Sequence, residues 1–287
     1  MPAADPVLPQ ISVPPGVPLL LRDLLHERTG IYFEPDRFDT LLDKLHDRAR
    51  AHGCRSYLDY YYLLRYEAAA TDEWPRVMDA FSVQETYFWR ELGQVRALVD
   101  RVVPAWFKQH PGRTLRIWSA ACATGEEPYS IAIALQEAGW GHHPIEILAS
   151  DASEAALARA RRAVYRERSF RALPADLRLR YFDPPTAEGT KLRTELLPGV
   201  DFRRANLVAP AEIADLATAH AVFCRNVFIY FSPDAIRRTV ASFAARMPPG
   251  SHLFVGASES LLKLTEDFEM QEIDQAFVYV RNRTRIA

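Results

Sequence analysis

The sequence predicts an α/β fold in which a parallel sheet with crossover helices follows an N-terminal helical bundle and carries a small antiparallel β insertion. Three observations carry this. From Val17 to about Gln84 the apolar residues recur at helical spacing and nothing else. From Leu115 onward, short apolar runs of strand length alternate with amphipathic stretches, the rhythm of βα units. Between two such stretches, roughly 181–204, Pro184, Pro185, Gly189 and Gly199 break the alternation.

Taken in order, residues 1–16 hold five prolines and read as a loose tail without the basic and apolar regions of a signal peptide. Leu20, Leu24 and Leu25 mark a first helix, and Phe38, Leu41, Leu42, Leu45 and Ala49 a second, stopped by Gly53. Ser56, with Asp59 three residues on, caps a third through Tyr61 and Leu64, and Trp74, Val77, Met78 and Phe81 mark a fourth. A longer helix spans about Leu92 to Gln109, with Pro104 inside it as a kink or break. Leu115–Ala120 is a buried strand, Pro128–Glu137 a helix ended by Gly139, Ile145–Ser150 a strand and Ser153–Ala163 a helix. In the interruption, Lys191–Leu196 and Val200–Arg203 read as short antiparallel strands. Ala221–Cys224, the helix Pro233–Met247, Leu253–Gly256 and two strands within Phe268–Arg281 complete the sheet. The boundaries are therefore a tail over 1–16, a helical domain over 17–84 and a sheet domain over 85–287.

Composition narrows the function classes. With 287 residues, 48% hydrophobic and 25% charged, the chain has the profile of an ordinary globular protein. A formal net charge of -2 gives no reason for general affinity toward nucleic acid or an anionic membrane. The three cysteines, Cys54, Cys122 and Cys224, lie far apart, form no metal-type pair and fit a reducing cytoplasm. No run of ~18 apolar residues is present, so no membrane span is expected.

Four segments carry chemistry. In Leu115–Ser130 a strand runs into Ala120, small residues and the single Gly125, then into a helix opened by Glu126 and Glu127. The small residues admit a ligand close to the backbone at the carboxyl end of a strand. A dinucleotide fingerprint needs three glycines, and two carboxylates at a helix N-terminus repel pyrophosphate but suit a cationic ligand. Ordinary helix capping accounts for an acidic first turn equally well. Asp151, 26 residues past Gly125, ends the second strand, where an acidic residue either accepts hydrogen bonds from a ribose diol or caps the next helix. Arg225-Asn226, between apolar runs and ahead of Tyr230, is a polar pair that needs buried partners or forms a structural turn. Ser82–Glu91 packs three aromatics before Arg90, either as a joint or as a closure over the site.

Together, in this order, these segments resemble the CheR family of chemotaxis receptor methyltransferases. The motifs are Trp118-Ser-Ala-Ala-Cys-Ala-Thr-Gly-Glu-Glu-Pro-Tyr-Ser130, Phe223-Cys-Arg-Asn-Val-Phe-Ile-Tyr-Phe231, Glu85-Thr-Tyr-Phe-Trp-Arg90 and Gly256-Ala-Ser-Glu259. The resemblance covers about Leu19 to Val280. It implies a Rossmann-like methyltransferase domain, S-adenosylmethionine as cofactor and S-adenosylhomocysteine as product. It implies cofactor contacts from Gln84 (where the family usually has Asn), Thr86, Arg90, Ala120, Gly125, Glu126, Glu127, Asp151, Asn206, Leu207, Arg225, Asn226 and Val227. Arg90 and Tyr230 match the reaction centre. The acceptors would be glutamates on the cytoplasmic domains of methyl-accepting chemotaxis receptors. Lys44, Arg48 and Arg55 on and after the second helix would meet those acidic bundles. The loop between Phe182 and Lys191 is short beside versions that hold a receptor peptide, so no tether is expected. A cytoplasmic monomer without nucleic-acid partner completes the expectation. A methyltransferase on another acceptor and a non-catalytic cofactor- or receptor-binding module stay open as alternatives.

Overall fold

A computed structural model describes residues 11–282, and the chain divides into two compact units after Phe81. The first unit holds four helices, α1 (Val17–Thr29), α2 (Phe38–Ala51), α3 (Tyr57–Tyr66) and α4 (Ala70–Phe81). Gly30, at φ 77°, ends α1 in the left-handed conformation that costs glycine nothing. Ser56 and Asp59 form the expected reciprocal capping box at α3. Leu21, Leu41, Leu45, Tyr60 and Val77 close the core. Residues 1–10 of the expected tail lie outside the described residues. Its remainder is not loose: Ile11 is buried in that core, and Ser12 donates its amide to the Arg55 carbonyl at 3.0 Å. The buried Ile11 and the backbone bridge at Ser12 together anchor this part of the proline-rich segment.

The second unit begins with α5 (Leu92–Ala97) and α6 (Val103–Gln109), joined by a π turn over Leu98–Val102. The Val103 amide reaches back to the Leu98 carbonyl, and this widened turn accommodates Pro104, which has no amide to donate. Then come β1 (Leu115–Ala120), α7 (Glu126–Glu137), β2 (Ile145–Asp151), α8 (Glu154–Arg162), β3 (Val164–Tyr165), α9 (Ala175–Tyr181), β4 (Thr190–Lys191), β5 (Val200–Arg204) and α10 (Pro210–Ile213). β6 (Ala221–Cys224), α11 (Pro233–Ala244), β7 (His252–Val255), β8 (Phe268–Ile273) and β9 (Ala276–Arg281) follow.

Seven strands form one sheet in the order β5-β2-β1-β6-β7-β9-β8, parallel through β7, with β9 and β8 antiparallel. Both faces are covered, which is why the central strands read as continuous apolar runs. Ile117, Phe223 and Phe254 face a layer with Val95, Leu98 and Ile131, whereas Trp118, Val222 and Leu253 pack with Val240 and Phe243. The β8–β9 hairpin turns at Asp274 and Gln275, both at positive φ, as a tight hairpin turn requires.

The β insertion differs from the expected one in its parts. β3 pairs antiparallel with β4, so the insertion begins near Val164. Thr194–Leu196 is a 3-10 turn, not a strand. Val200–Arg204 lies parallel to β2 as the outer strand of the main sheet. Its polar sequence, Val-Asp-Phe-Arg-Arg, is what an exposed edge allows, and period-two patterning does not distinguish parallel from antiparallel pairing.

Candidate active site

Chain order reverses at the centre of the sheet: β2 flanks β1 on one side and β6 on the other. Crevices for ligands form at such a switch, outside the carboxyl ends of the strands. The expected residues of the loop, Asp151 and Arg225-Asn226 leave the carboxyl ends of β1, β2 and β6.

After Ala120 the backbone passes through positive φ at Ala121 (58°), Ala123 (48°) and Gly125 (91°). The Cys122 amide bonds the Ser150 carbonyl at 2.8 Å, and Ala123 donates to Asp151 Oδ2 at 2.9 Å. Asp151 Oδ1 accepts the Ser153 amide at 2.9 Å. Asp151 is thus first of all the tie that holds the loop. An ionised carboxylate offers about four acceptor positions, and two of them serve these amides. A Cβ on Gly125 would sit 2.8 Å from the Ala160 Cβ of α8, so the glycine answers a close helix approach as well as its φ. Gly125→Ala is expected to lower the melting temperature of this unit by roughly 2–8 °C, from the ~1–2 kcal/mol of left-handed strain. Differential scanning calorimetry with S-adenosylhomocysteine checks this. An unchanged transition that the ligand raises as in wild type would refute the role.

The two glutamates that open α7 have different surroundings. Glu126, 3% exposed, accepts Thr124 Oγ1 at 2.6 Å and Ser169 Oγ at 2.9 Å, and burial pushes its carboxyl above the ordinary value against those bonds. Glu127 accepts Ser119 Oγ at 2.6 Å and lies 3.4 Å from Arg225 Nη1. Burial pushes Glu127 up as well, and Arg225 and Ser119 only partly offset it. Ordinary capping is therefore not the whole account, since both carboxylates point into buried surroundings.

Arg225 is the hub. Its side chain is 2% exposed, its Nη2 donates to the Arg90 carbonyl at 2.6 Å, and Glu91 lies 3.6 Å away. Its Nε is buried without a protein partner among the described residues. Asn226, at φ 60°, donates its amide to Glu259 Oε2 at 2.8 Å and its side chain to Glu91 Oε1 at 3.3 Å. Glu259 also accepts the Gly256 amide, and Glu91 the Ala257 amide, so β7's carboxyl end is clamped to the same turn. A Cβ at Gly256 would meet Asn226 Nδ2 and Glu259 Oε2, both at 2.7 Å. Glu91 and Glu259 were not among the expected site residues. Glu259 stood in a recognised motif, but Glu91 gives no local signal, because its partners lie more than 130 residues away.

Of the remaining expected residues, Arg90 is half-buried and donates to the Glu85 carbonyl at 2.7 Å, between Trp89 and Glu91, both at positive φ. Gln84 Oε1 accepts from Arg159 at 2.6 Å, and Thr86 is half-buried on the same segment. Asn206 and Leu207 follow β5 beside Asp151, whose carbonyl accepts the Ala205 amide at 3.0 Å, and Asn206 Oδ1 accepts the Val208 amide. Val227 packs on the core, and Tyr230 is half-buried on the 3-10 turn Phe228–Tyr230.

The three cations expected to meet the acceptor have different surroundings within the helical unit. Arg48 is held by the buried Glu73, at 2.8 Å and 2.5 Å, and Lys44 donates to the Ala80 carbonyl at 3.0 Å over the Phe81 ring. Arg55 alone of the three is exposed. Helical spacing puts Lys44 and Arg48 on one side of α2, with Arg55 after it, and does not show that acceptors within the unit engage the first two.

Five carboxylates (Glu91, Glu126, Glu127, Asp151 and Glu259) stand at the ends of β1, β2, β6 and β7 and the segment before them, and Arg225 is their one buried counter-ion among the described residues. A set short of positive charge fits a cationic ligand such as a sulfonium nucleoside, and fits a diphosphate badly. Sheet order, switch-point crevice and carboxylate excess place the chain in a class, the S-adenosylmethionine-dependent methyltransferases. The chain belongs to the CheR methyltransferase family: the model for its SAM binding domain matches residues 84–277, and that for its all-alpha domain matches residues 19–82. Chemotaxis protein methyltransferase 2 of Vibrio cholerae is 34% identical over 91% of this chain and 91% of its own length. Chemotaxis protein methyltransferase 1 of Pseudomonas aeruginosa is 30% identical over 91% of this chain and 96% of its own. The probable biofilm formation methyltransferase WspC of Pseudomonas putida is 32% identical over 90% of this chain and 60% of its own.

Proposed function

We propose that this chain transfers the methyl group of S-adenosylmethionine to glutamate carboxylates on the cytoplasmic domains of chemotaxis receptors, leaving glutamate methyl esters. The observation that carries the acceptor chemistry is the placement of the histidines. His110, His142, His143, His220 and His252, all the histidines after Phe81, precede or open strands β1, β2, β6 and β7, at the amino ends of the sheet. Among the described residues of the sheet unit, the carboxyl-end site therefore has no imidazole to serve as general base. A glutamate carboxylate, with a reference pKa near ~4.3, is already ionised and needs none. The names of the relatives supply the receptor context.

The bound cofactor supplies an electrophilic methyl on a positively charged sulfur. The chain's own residues hold and dry the site. Charge disappears as carboxylate meets sulfonium, so exclusion of water and alignment of the reactants favour transfer. Arg90 positions the acceptor carboxylate and closes the pocket, and tight pairing would blunt the nucleophile, so activation is not its role. Tyr230 donates a hydrogen bond to the carboxylate or to the methionyl end of the cofactor. Asp151, at the carboxyl end of β2, takes the ribose diol.

Receptor cytoplasmic fragments incubated with labelled cofactor should gain methyl groups that base releases, and base-stable label would overturn the proposal. Arg90→Ala and Tyr230→Phe are each expected to lower kcat/KM at least ~10-fold, about 1.4 kcal/mol of transition-state stabilisation. Wild-type rates in both would remove these roles. The likeness to WspC favours, as a second reading, the same esterification on a receptor of a biofilm pathway, which the identity of the methylated fragment distinguishes.

A further inference from the structure

With Arg48 and Lys44 engaged inside the helical unit, Arg55 is the exposed one of the three there, and further cations to meet an acidic partner are sought in the sheet unit. The sheet unit contains them. A groove of about 480 Å³ runs beside the loop that follows β1, lined by Arg159, Arg162, Arg166 and Arg168, with Glu126 and Glu188 as its carboxylates. All four arginines are exposed. Arg162, Arg166 and Arg168 are in no ion pair among the described residues, and Arg159 has only the neutral Gln84 amide. Their neighbours are different: Arg161 pairs with Glu154, Arg171 with Glu85 and Arg178 with Glu167. Unpaired arginines also stand elsewhere in the unit, Arg113, Arg204 and Arg237 among them, but the groove gathers four exposed ones that are in no ion pair among the described residues.

We infer that this arginine groove seats the acidic stretch of the acceptor polypeptide during methyl transfer, a role that rests on the receptor reading above. The arrangement favours a chain over a small anion. Arg159 and Arg162 are three residues apart on α8, so their Cα atoms rise about 4.5 Å along the helix. Arg166 follows β3 directly and Arg168 lies in the 3-10 turn Glu167–Phe170. The four cations are thus spread over successive elements along the groove, which suits carboxylates repeated along an acidic segment. A phosphate instead wants donors converging on one point, and here the buried Glu126 and the rim Glu188 repel an anion that enters deeply. Guanidiniums left in water without counter-ions cost little until a partner arrives, and they then contribute mainly to encounter and to KM. The groove adjoins Thr124 and Glu126 of the loop after β1, so a segment lying in it runs alongside the cofactor site.

The test is the double variant Arg162→Glu/Arg166→Glu in the full chain, assayed with a receptor cytoplasmic fragment. KM for the fragment should rise tenfold or more at low salt, with kcat at saturation and S-adenosylhomocysteine affinity by calorimetry both unchanged, and the ratio should shrink as ionic strength increases. An unchanged KM overturns the inference. So does a parallel fall in S-adenosylhomocysteine affinity, which would give the groove to the nucleoside. Micromolar binding of pyrophosphate to the wild type, lost in the variant, would make it a small-anion site and overturn it as well. A rise in KM confined to Arg55→Glu would return the docking surface to the helical unit. If the wild type forms no ester on any fragment, the receptor reading fails first and the inference with it. Ester formation that the double variant leaves untouched sinks the groove alone.

Discussion

Replacing Arg225 with methionine is expected to lower the melting temperature of the sheet unit by roughly 6–20 °C and to abolish binding of S-adenosylhomocysteine. Methionine is close to arginine's apolar stem in size, so packing at this 2% exposed side chain is nearly kept and the loss is electrostatic. Glu127 and Glu91 would lose their buried counter-ion and the Arg90 carbonyl its donor. Removing one partner of a buried ion pair costs about 3–5 kcal/mol, because the abandoned charge stays desolvated. At ~2–4 °C per kcal/mol for a unit of this size, that gives the stated range. The variant has a further signature in pH. Burial already pushes Glu127 up, and without Arg225 it rises further. A carboxyl whose folded pKa is raised carries its penalty above that pKa and is relieved as it takes up a proton, so the variant should recover stability as pH falls from 8 toward 5. Glu127→Gln in the Arg225→Met background should recover part of the loss at neutral pH, which a double-mutant cycle reads directly. A melting temperature within about 2 °C of wild type would show that Arg225 only touches ligand and does not hold the site together.

Why some of this site was legible in the sequence and some was not follows from where each residue gets its signal. Gly125, Asp151 and Arg225-Asn226 stand where an apolar run ends in polar or small residues, and an α/β rhythm marks such points as strand termini facing a crevice. Glu91 and Glu259 act on backbone amides, Glu91 across 166 residues to Ala257, and no spacing rule links the two. The left-handed backbone at Trp89 and Glu91 is likewise set by the fold around the segment: Phe88 is fully buried, and the Trp89 amide donates to Ser130 Oγ at 3.1 Å. Val200–Arg203 was visible as a strand but not as a member of the main sheet, since its partner is chosen by the crossover and not by its own pattern. The cations of α2 were visible on one side of a helix, but the carboxylate that takes Arg48 lies 25 residues on, in α4.

That carboxylate is the second place where a single change should act strongly. Glu73, whose side chain is fully buried, accepts two bonds from Arg48, one from Tyr60 Oη at 2.7 Å and one from His52 Nε2 at 2.9 Å. Glu73→Ala leaves the Tyr60 hydroxyl and the Arg48 guanidinium without this acceptor, and a loss of about 3–5 kcal/mol is expected. Small helical units shift by ~4–8 °C per kcal/mol, so the transition of this unit should fall by roughly 12–40 °C in calorimetry of the full chain. Burial alone would push Glu73 up, but the bonds from Arg48, Tyr60 and His52 outweigh it and hold the carboxyl below its ordinary value. Stability from a depressed carboxylate is fully present above its unfolded pKa, near ~4.3, and is lost as pH falls through the folded value. The wild-type helical unit should therefore lose stability in acid below about pH 4.3, and Glu73→Gln, which keeps an acceptor for Tyr60 but carries no charge, should start lower and change less over the same range. Parallel acid curves for wild type and Glu73→Gln would mean that the ion pair contributes nothing. They would also reopen Arg48 as a cation available to a partner.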